Sequence, residues 1–160
     1  SPAAWLALVP AKLSATFDDV GGPSWYLAAA APQHFPESTR VPLNVAEWLW
    51  SRAALGLAAL GLGRQRTWSR FKLAGWVGGV TLLAAAANWL ATLLVALVAL
   101  RAPDSRARPP LGLFAAVVLA TAATHAVFFG AARYSYVVLP FLAMATAAAW
   151  GPRVGRSPTE

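Results

Sequence analysis

Cysteine is absent from the sequence, which removes disulfides, thiolate metal sites and cysteine nucleophiles together. Charge is scarce as well. Charged residues make up 12% of the chain, where a soluble domain carries about a quarter. Acidic residues are the scarcest, 6 Asp and Glu against 13 Lys and Arg, for a net charge of +7. In a soluble protein that excess would point to nucleic acid. Here the cations stand in short clusters beside apolar runs, with no aromatic-plus-basic surface module, so nucleic acid is set aside as a partner. No Walker loop, dinucleotide fingerprint, nucleophile constellation or metal motif occurs, so no cofactor, metal or catalytic residue is expected within the chain. No basic n-region or cleavage site precedes the apolar segments, and nothing reads as a signal peptide.

What the sequence has is apolar length: 58% of residues are hydrophobic, and the charges fall between long uncharged runs. This is the pattern of an integral membrane protein, all-α and polytopic, with membrane lipid as its first partner. Residues 1–42 are mixed. Short apolar patches containing Trp5, Trp25 and Tyr26 are broken by Lys12, Asp18, Asp19 and Gly21-Gly22-Pro23, and neither patch reaches the roughly 20 residues of a span. They predict an interfacial segment along the bilayer surface, and Pro32, Pro36 and Pro42 predict an extended connection after it. The aspartates suit a turn or cap.

Four spans are expected across 43–150, at about 43–63, 73–100, 111–129 and 134–150, before a polar tail at 151–160. The first carries Glu47 and Arg52, about 140° apart on a helix, so Arg52 is expected to find a partner on another helix or to snorkel. The second runs from Leu73 to Leu100 without a charge. Those residues would extend roughly 42 Å against a core of about 30 Å, so the helix must tilt, bend or overrun. Within it, Gly75 and Gly79 have the spacing of a close helix contact, and Asn88 calls for an interhelical hydrogen bond. Four spans place Lys12, Arg40, Arg101, Arg106, Arg108, Arg153 and Arg156 on one side. Arg64, Arg66, Arg70, Lys72 and Arg133 fall on the other. The positive-inside rule makes the larger set cytoplasmic and puts Arg133 outside.

The stretch from His125 to Pro140 organises the candidate site. An apolar run closes on Phe128-Phe129-Gly130, one cation follows at Arg133, and apolar sequence resumes. Arg133 keeps its charge and offers a donor fork matched to phosphate oxygens, and Tyr134 and Tyr136 place hydroxyls beside it. It can grip a lipid phosphate, or it can anchor a helix end. His125, two turns earlier, can bind a phosphate or relay protons, or can make one hydrogen bond to a neighbouring helix. Lys12 can contact a phosphate or snorkel.

The motif FFG-x-x-RY before a helix opening on Pro140 resembles the C-terminal end of the bacterial glycosyltransferase family 39 proteins, polytopic GT-C class enzymes. The stretch from Pro10 to Asp18, of the form PAKL-x-x-TFD, followed by Trp25-Tyr26-Leu27, resembles a segment ahead of the last helices in some members. The resemblance spans about Val9 to Phe141, and only its two ends are distinctive. It implies the C-terminal transmembrane part of an enzyme of the bacterial inner membrane. That enzyme moves a sugar from a polyprenyl-phosphate carrier to a protein, lipid or glycan acceptor. The implied partners are the polyprenyl-phosphate-linked sugar donor and the remaining N-terminal part of the parent chain. Carrier-phosphate contacts would fall to Arg133, Tyr134, Tyr136, Lys12 and His125. The family's acidic base lies in an early external loop, which Asp18-Asp19 do not match, so the piece alone is expected to be inactive. The alternative is a non-enzymatic membrane protein, a transporter or an assembly subunit, packed through Ala and Gly. Transporters tend to show repeated halves and helices broken at the midplane, and neither is legible here.

Overall fold

The computed structural model describes residues 2–18, 22–66, 68–102, 109–128 and 132–151, without the side chains of Pro2, Pro23, Ala132, Arg133 and Ser135. Every element among them is helical: α1 (Pro2–Ala7), α2 (Val9–Phe17), α3 (Gly22–Ala30), α4 (Glu37–Gln65), α5 (Arg70–Ala86), α6 (Asn88–Leu100), α7 (Pro109–Val127), a 3-10 helix (Ala132–Val137) and α8 (Leu139–Trp150). The all-α expectation is met. One helix among the described residues, α7, is long and apolar enough to cross a membrane.

Helices α4 to α8 pack in a ring, each against the next and α8 back against α4. Their inward stripes follow helical periodicity. On α7, Leu111, Phe114, Ala115, Val118, Ala122 and His125 are buried, all on one face. The other helices bury mainly alanine: Ala58 and Ala59 on α4, Ala91, Ala96 and Ala99 on α6, and Ala145 and Ala149 on α8. Side chains that small let the helices approach closely. Two glycines sit at contacts. A Cβ on Gly61 would lie 2.6 Å from Ala149 Cβ on α8, and one on Gly63 would lie 2.5 Å from Leu73 Cδ1 on α5. Gly75 and Gly79, expected at such contacts, have nothing within 4 Å of an added Cβ.

The stretch expected as one long span, 73–100, is two helices. The chain turns at Ala87, whose φ of −154° and ψ of 83° leave the helical region. It also reverses direction. Leu73, near the start of α5, lies against Gly63 on α4, while Arg66 Nη2 donates to Val98 O and Arg101 O at the end of α6, each at 3.3 Å. Helices of about 26 and 20 Å can both begin and end beside the foot of α4 only by forming a hairpin. The uncharged length that no bilayer could accommodate straight is thus folded back on itself.

Other boundaries move for local reasons. Helix α4 starts at Glu37 and runs through Pro42, so the extended connection is confined to residues around 31–36. Pro42 is the sixth residue of α4, past the first turn, so it costs the helix the bond that an N–H there would make to Ser38 O. The expected surface segment 1–42 is helical too, and α2 is partly internal. Leu13, Thr16 and Phe17 are buried where α2 packs on α6, α7 and the 3-10 helix. The last expected span divides into the 3-10 helix and α8, with Pro140 in the first turn of α8.

Candidate functional site

At one end of the bundle α2 packs on α7 and on the 3-10 helix, and Tyr136 ties the 3-10 helix to Glu47 in the first half of α4. His125 stands at the last position of the buried α7 stripe and is 6% exposed. Its Nδ1 lies 3.2 Å from Thr16 Oγ1 on α2. The Thr16 hydroxyl has one proton, and it donates that proton to Lys12 O at 2.9 Å. The Nδ1–Oγ1 bond ties the imidazole to α2, its direction following the ring's tautomer. His125 thus makes the bond to a neighbouring helix, the plainer of the roles open to it. The Tyr134 ring packs against the imidazole with centroids 4.5 Å apart and planes tilted by 58°.

Lys12 Nζ donates to Ala126 O at 3.4 Å and Val127 O at 3.3 Å, the carbonyls that α7 leaves without partners at its C-terminus. It also sits 4.4 Å from the Trp5 ring centroid. Its first task is therefore to cap α7 from another segment, a role that residue spacing does not reveal. Tyr136 donates its hydroxyl proton to Glu47 Oε1 on α4, joining the 3-10 helix to the bundle. The backbone of Arg133 lies in the same 3-10 helix, and its side chain is outside the described atoms. Phe129, Gly130 and Asp19 also lie outside the described residues. Arg52 bonds within its own helix, to Trp48 O and Ser51 Oγ, and lies 4.4 Å from the Trp48 ring centroid. Asp18, just past the end of α2, is its electrostatic neighbour from another helix.

Three participants carry no site signal in the sequence. Thr16 reads as an ordinary helix residue until His125 is placed beside it. Asn88 does make a bond to another element, from Nδ2 to Phe17 O at 2.8 Å. Asp18 is a cap, though of a distant helix. Its Oδ1 accepts from the Trp89 N–H at 2.7 Å and so caps the start of α6.

Cations gather at the opposite end. Arg64, Arg66, Arg70, Lys72 and Arg101 all lie there, at the C-termini of α4 and α6 and the N-terminus of α5. The hairpin adds one more passage through the bundle, so Arg101 belongs with Arg64 and Arg66, and Lys12 and Arg40 belong with the 3-10 helix that carries Arg133. This corrects the partition drawn from four spans. Arg106, Arg108, Arg153 and Arg156 lie outside the described residues. Among the described residues no group of three or more His, Asp or Glu could hold a metal. The sequence matches no family model, no curated protein and no solved structure.

Proposed function

We propose that the bundle is the C-terminal transmembrane part of a bacterial inner-membrane glycosyltransferase that uses a polyprenyl-phosphate-linked sugar. The observation that carries the reading is convergence. Lys12, His125, Tyr134 and Tyr136, drawn from opposite ends of the chain, meet at one end of the bundle, beside the helix that bears the Arg133 backbone.

Membrane residence is supported by surfaces that are apolar on both sides of the helices. Leu82, Leu90, Leu94, Leu97, Leu113 and Met144 face outward while the core is equally apolar. A bundle with no polar face has its lowest free energy in lipid. In this reading the five helices α4 to α8, with α5 and α6 counted separately, sit in the bilayer, and α7 is long and apolar enough to cross it by itself. Arg64, Arg66, Arg70, Lys72 and Arg101 at one end, against Lys12, Arg40 and Arg133 at the other, orient the bundle by the positive-inside rule. The His125 end then faces outward, where a lipid-carried sugar would be consumed.

In this reading the Arg133 guanidinium takes the carrier phosphate. The tyrosines and His125 line its approach, and Lys12 positions the α7 terminus. The base for the acceptor hydroxyl belongs to the N-terminal part of the parent. The test is Arg133→Ala in the full-length parent, assayed for sugar transfer and for donor binding. A weaker donor affinity with intact membrane insertion is expected. Unchanged transfer and unchanged donor affinity would remove Arg133 from the site.

A further inference from the structure

Charge is divided between the two ends of the bundle. The acidic residues among those described, Asp18, Glu37 and Glu47, lie in the half that holds His125. Arg64, Arg66, Arg70, Lys72 and Arg101 gather at the other end, with no acidic residue described beside them. Helices α4, α6 and α8 have their C-termini there too. Each carries about half a negative charge, too little to neutralise five cations, so a net positive field remains.

At this end a cavity of about 350 Å³ opens between α4 and α8, lined by Arg64, Gln65, Ala149, Trp150 and Gly151. The Arg64 guanidinium carbon lies 4.9 Å from the Trp150 ring centroid. Stacking occupies the face of the guanidinium, while its donors lie in the plane, in the fork that matches phosphate oxygens. Gln65 gives one amide proton to Ala149 O at 2.8 Å, and the amide carries a second. Beneath the cavity the wall turns apolar. Trp150 Nε1 donates to Leu57 O at 3.2 Å, and both Trp150 and Leu57 are exposed on the outer surface. Trp76 Nε1 donates to Ala59 O at 2.8 Å, so two indoles stand near one level, as such rings do beside headgroups. A cationic pocket above an apolar wall suits an amphiphile better than a free anion.

We propose that this cavity seats the phosphate of an anionic phospholipid, held by Arg64 and Gln65, with its acyl chains against Leu57 and Trp150. A zwitterionic headgroup brings its own cation into the same positive field, which disfavours it. The site lies at the opposite end from the His125 cluster. It rests on the membrane residence of the bundle and on no part of the sugar-transfer reading.

The test mixes the purified chain, in neutral detergent, with phosphatidylglycerol or phosphatidylcholine and counts bound lipid by native mass spectrometry. One saturable phosphatidylglycerol per chain is expected, held at least about fivefold more tightly than phosphatidylcholine. Arg64→Gln should weaken it about fivefold, the worth of one cation beside anionic lipid. Arg64→Lys keeps a cation over Trp150 and should bind better than Arg64→Gln. Arg70→Gln removes the same charge at the same end but outside the cavity, and at physiological salt should change binding less than about twofold. Equal binding of the two lipids, or equal losses in Arg64→Gln and Arg70→Gln, would overturn the cavity site. Soluble glycerophosphate bound as tightly as the lipid would rule out the lipid as occupant. Release of the chain from vesicles by alkaline carbonate would overturn membrane residence itself, and the lipid site with it.

Discussion

Replacing Gly61 with Ala tests how tightly α4 and α8 are locked. The new Cβ would meet Ala149 Cβ at 2.6 Å, its carbonyl carbon at 3.1 Å and its carbonyl oxygen at 3.2 Å. Ordinary carbon contacts lie at about 3.5–4.0 Å, and helix backbone cannot swing aside, so the pair must open by roughly 1 Å. Two hydrogen bonds span the same interface, Gln65 Nε2 to Ala149 O at 2.8 Å and Trp150 Nε1 to Leu57 O at 3.2 Å, while the Thr146 hydroxyl gives its proton to Leu142 O at 2.8 Å within α8. Opening by that amount takes both beyond good geometry. Interhelical bonds in membrane proteins average about 0.6 kcal/mol each. Overpacking adds about 1–3 kcal/mol, and the better helix propensity of Ala recovers about 1 kcal/mol. The expected net destabilisation is about 1–3 kcal/mol.

A reversible denaturant titration in mixed micelles measures it, with Ala149→Gly and the double variant completing a cycle. Removing the Ala149 methyl relieves the shortest collision and leaves the two backbone contacts. The double variant should therefore recover part of the loss, with a coupling of about 1 kcal/mol. A Gly61→Ala variant as stable as the parent, or more so, would show that propensity outweighs the contact and that the helices are not locked there.

Gly63 offers a milder case. Its Cβ would meet the tip of Leu73, a side chain that can rotate away, so Gly63→Ala should cost under about 1 kcal/mol in the same titration. A cost equal to that at Gly61 would mean Leu73 is rigidly held. Lys12→Met keeps the apolar stem and removes the ammonium that caps α7. A loss of about 0.5–1 kcal/mol is expected, with faster amide exchange confined to residues tied to the last turn of α7. Unaltered exchange there would refute the capping role.

Hydropathy and charge spacing make the helical class legible, because an apolar chain with few charges must satisfy its backbone internally. The buried stripe of α7 is legible as well, since 3.6-residue periodicity aligns Leu111, Phe114, Val118 and His125 on one face. That periodicity is enough to aim the imidazole inward. The pairing of that imidazole is not legible. Thr16 stands 109 residues away, and nothing in the local pattern of α2 sets it apart from any other helix position.

What the sequence determined by itself is local: which stretches coil, which faces are apolar, and which cations flank them. These follow from backbone geometry and from the transfer of side chains out of water. The tertiary structure alone decided where the longest uncharged stretch breaks. Alanine is the strongest helix former, so the run from Ala84 to Ala87 predicts continuity. The helix nevertheless stops at Ala87, because Asp18 supplies a cap and Phe17 an acceptor from 71 residues away. Bonds of that range decide the number of passages through the bundle, and with it which cations share an end with the candidate site.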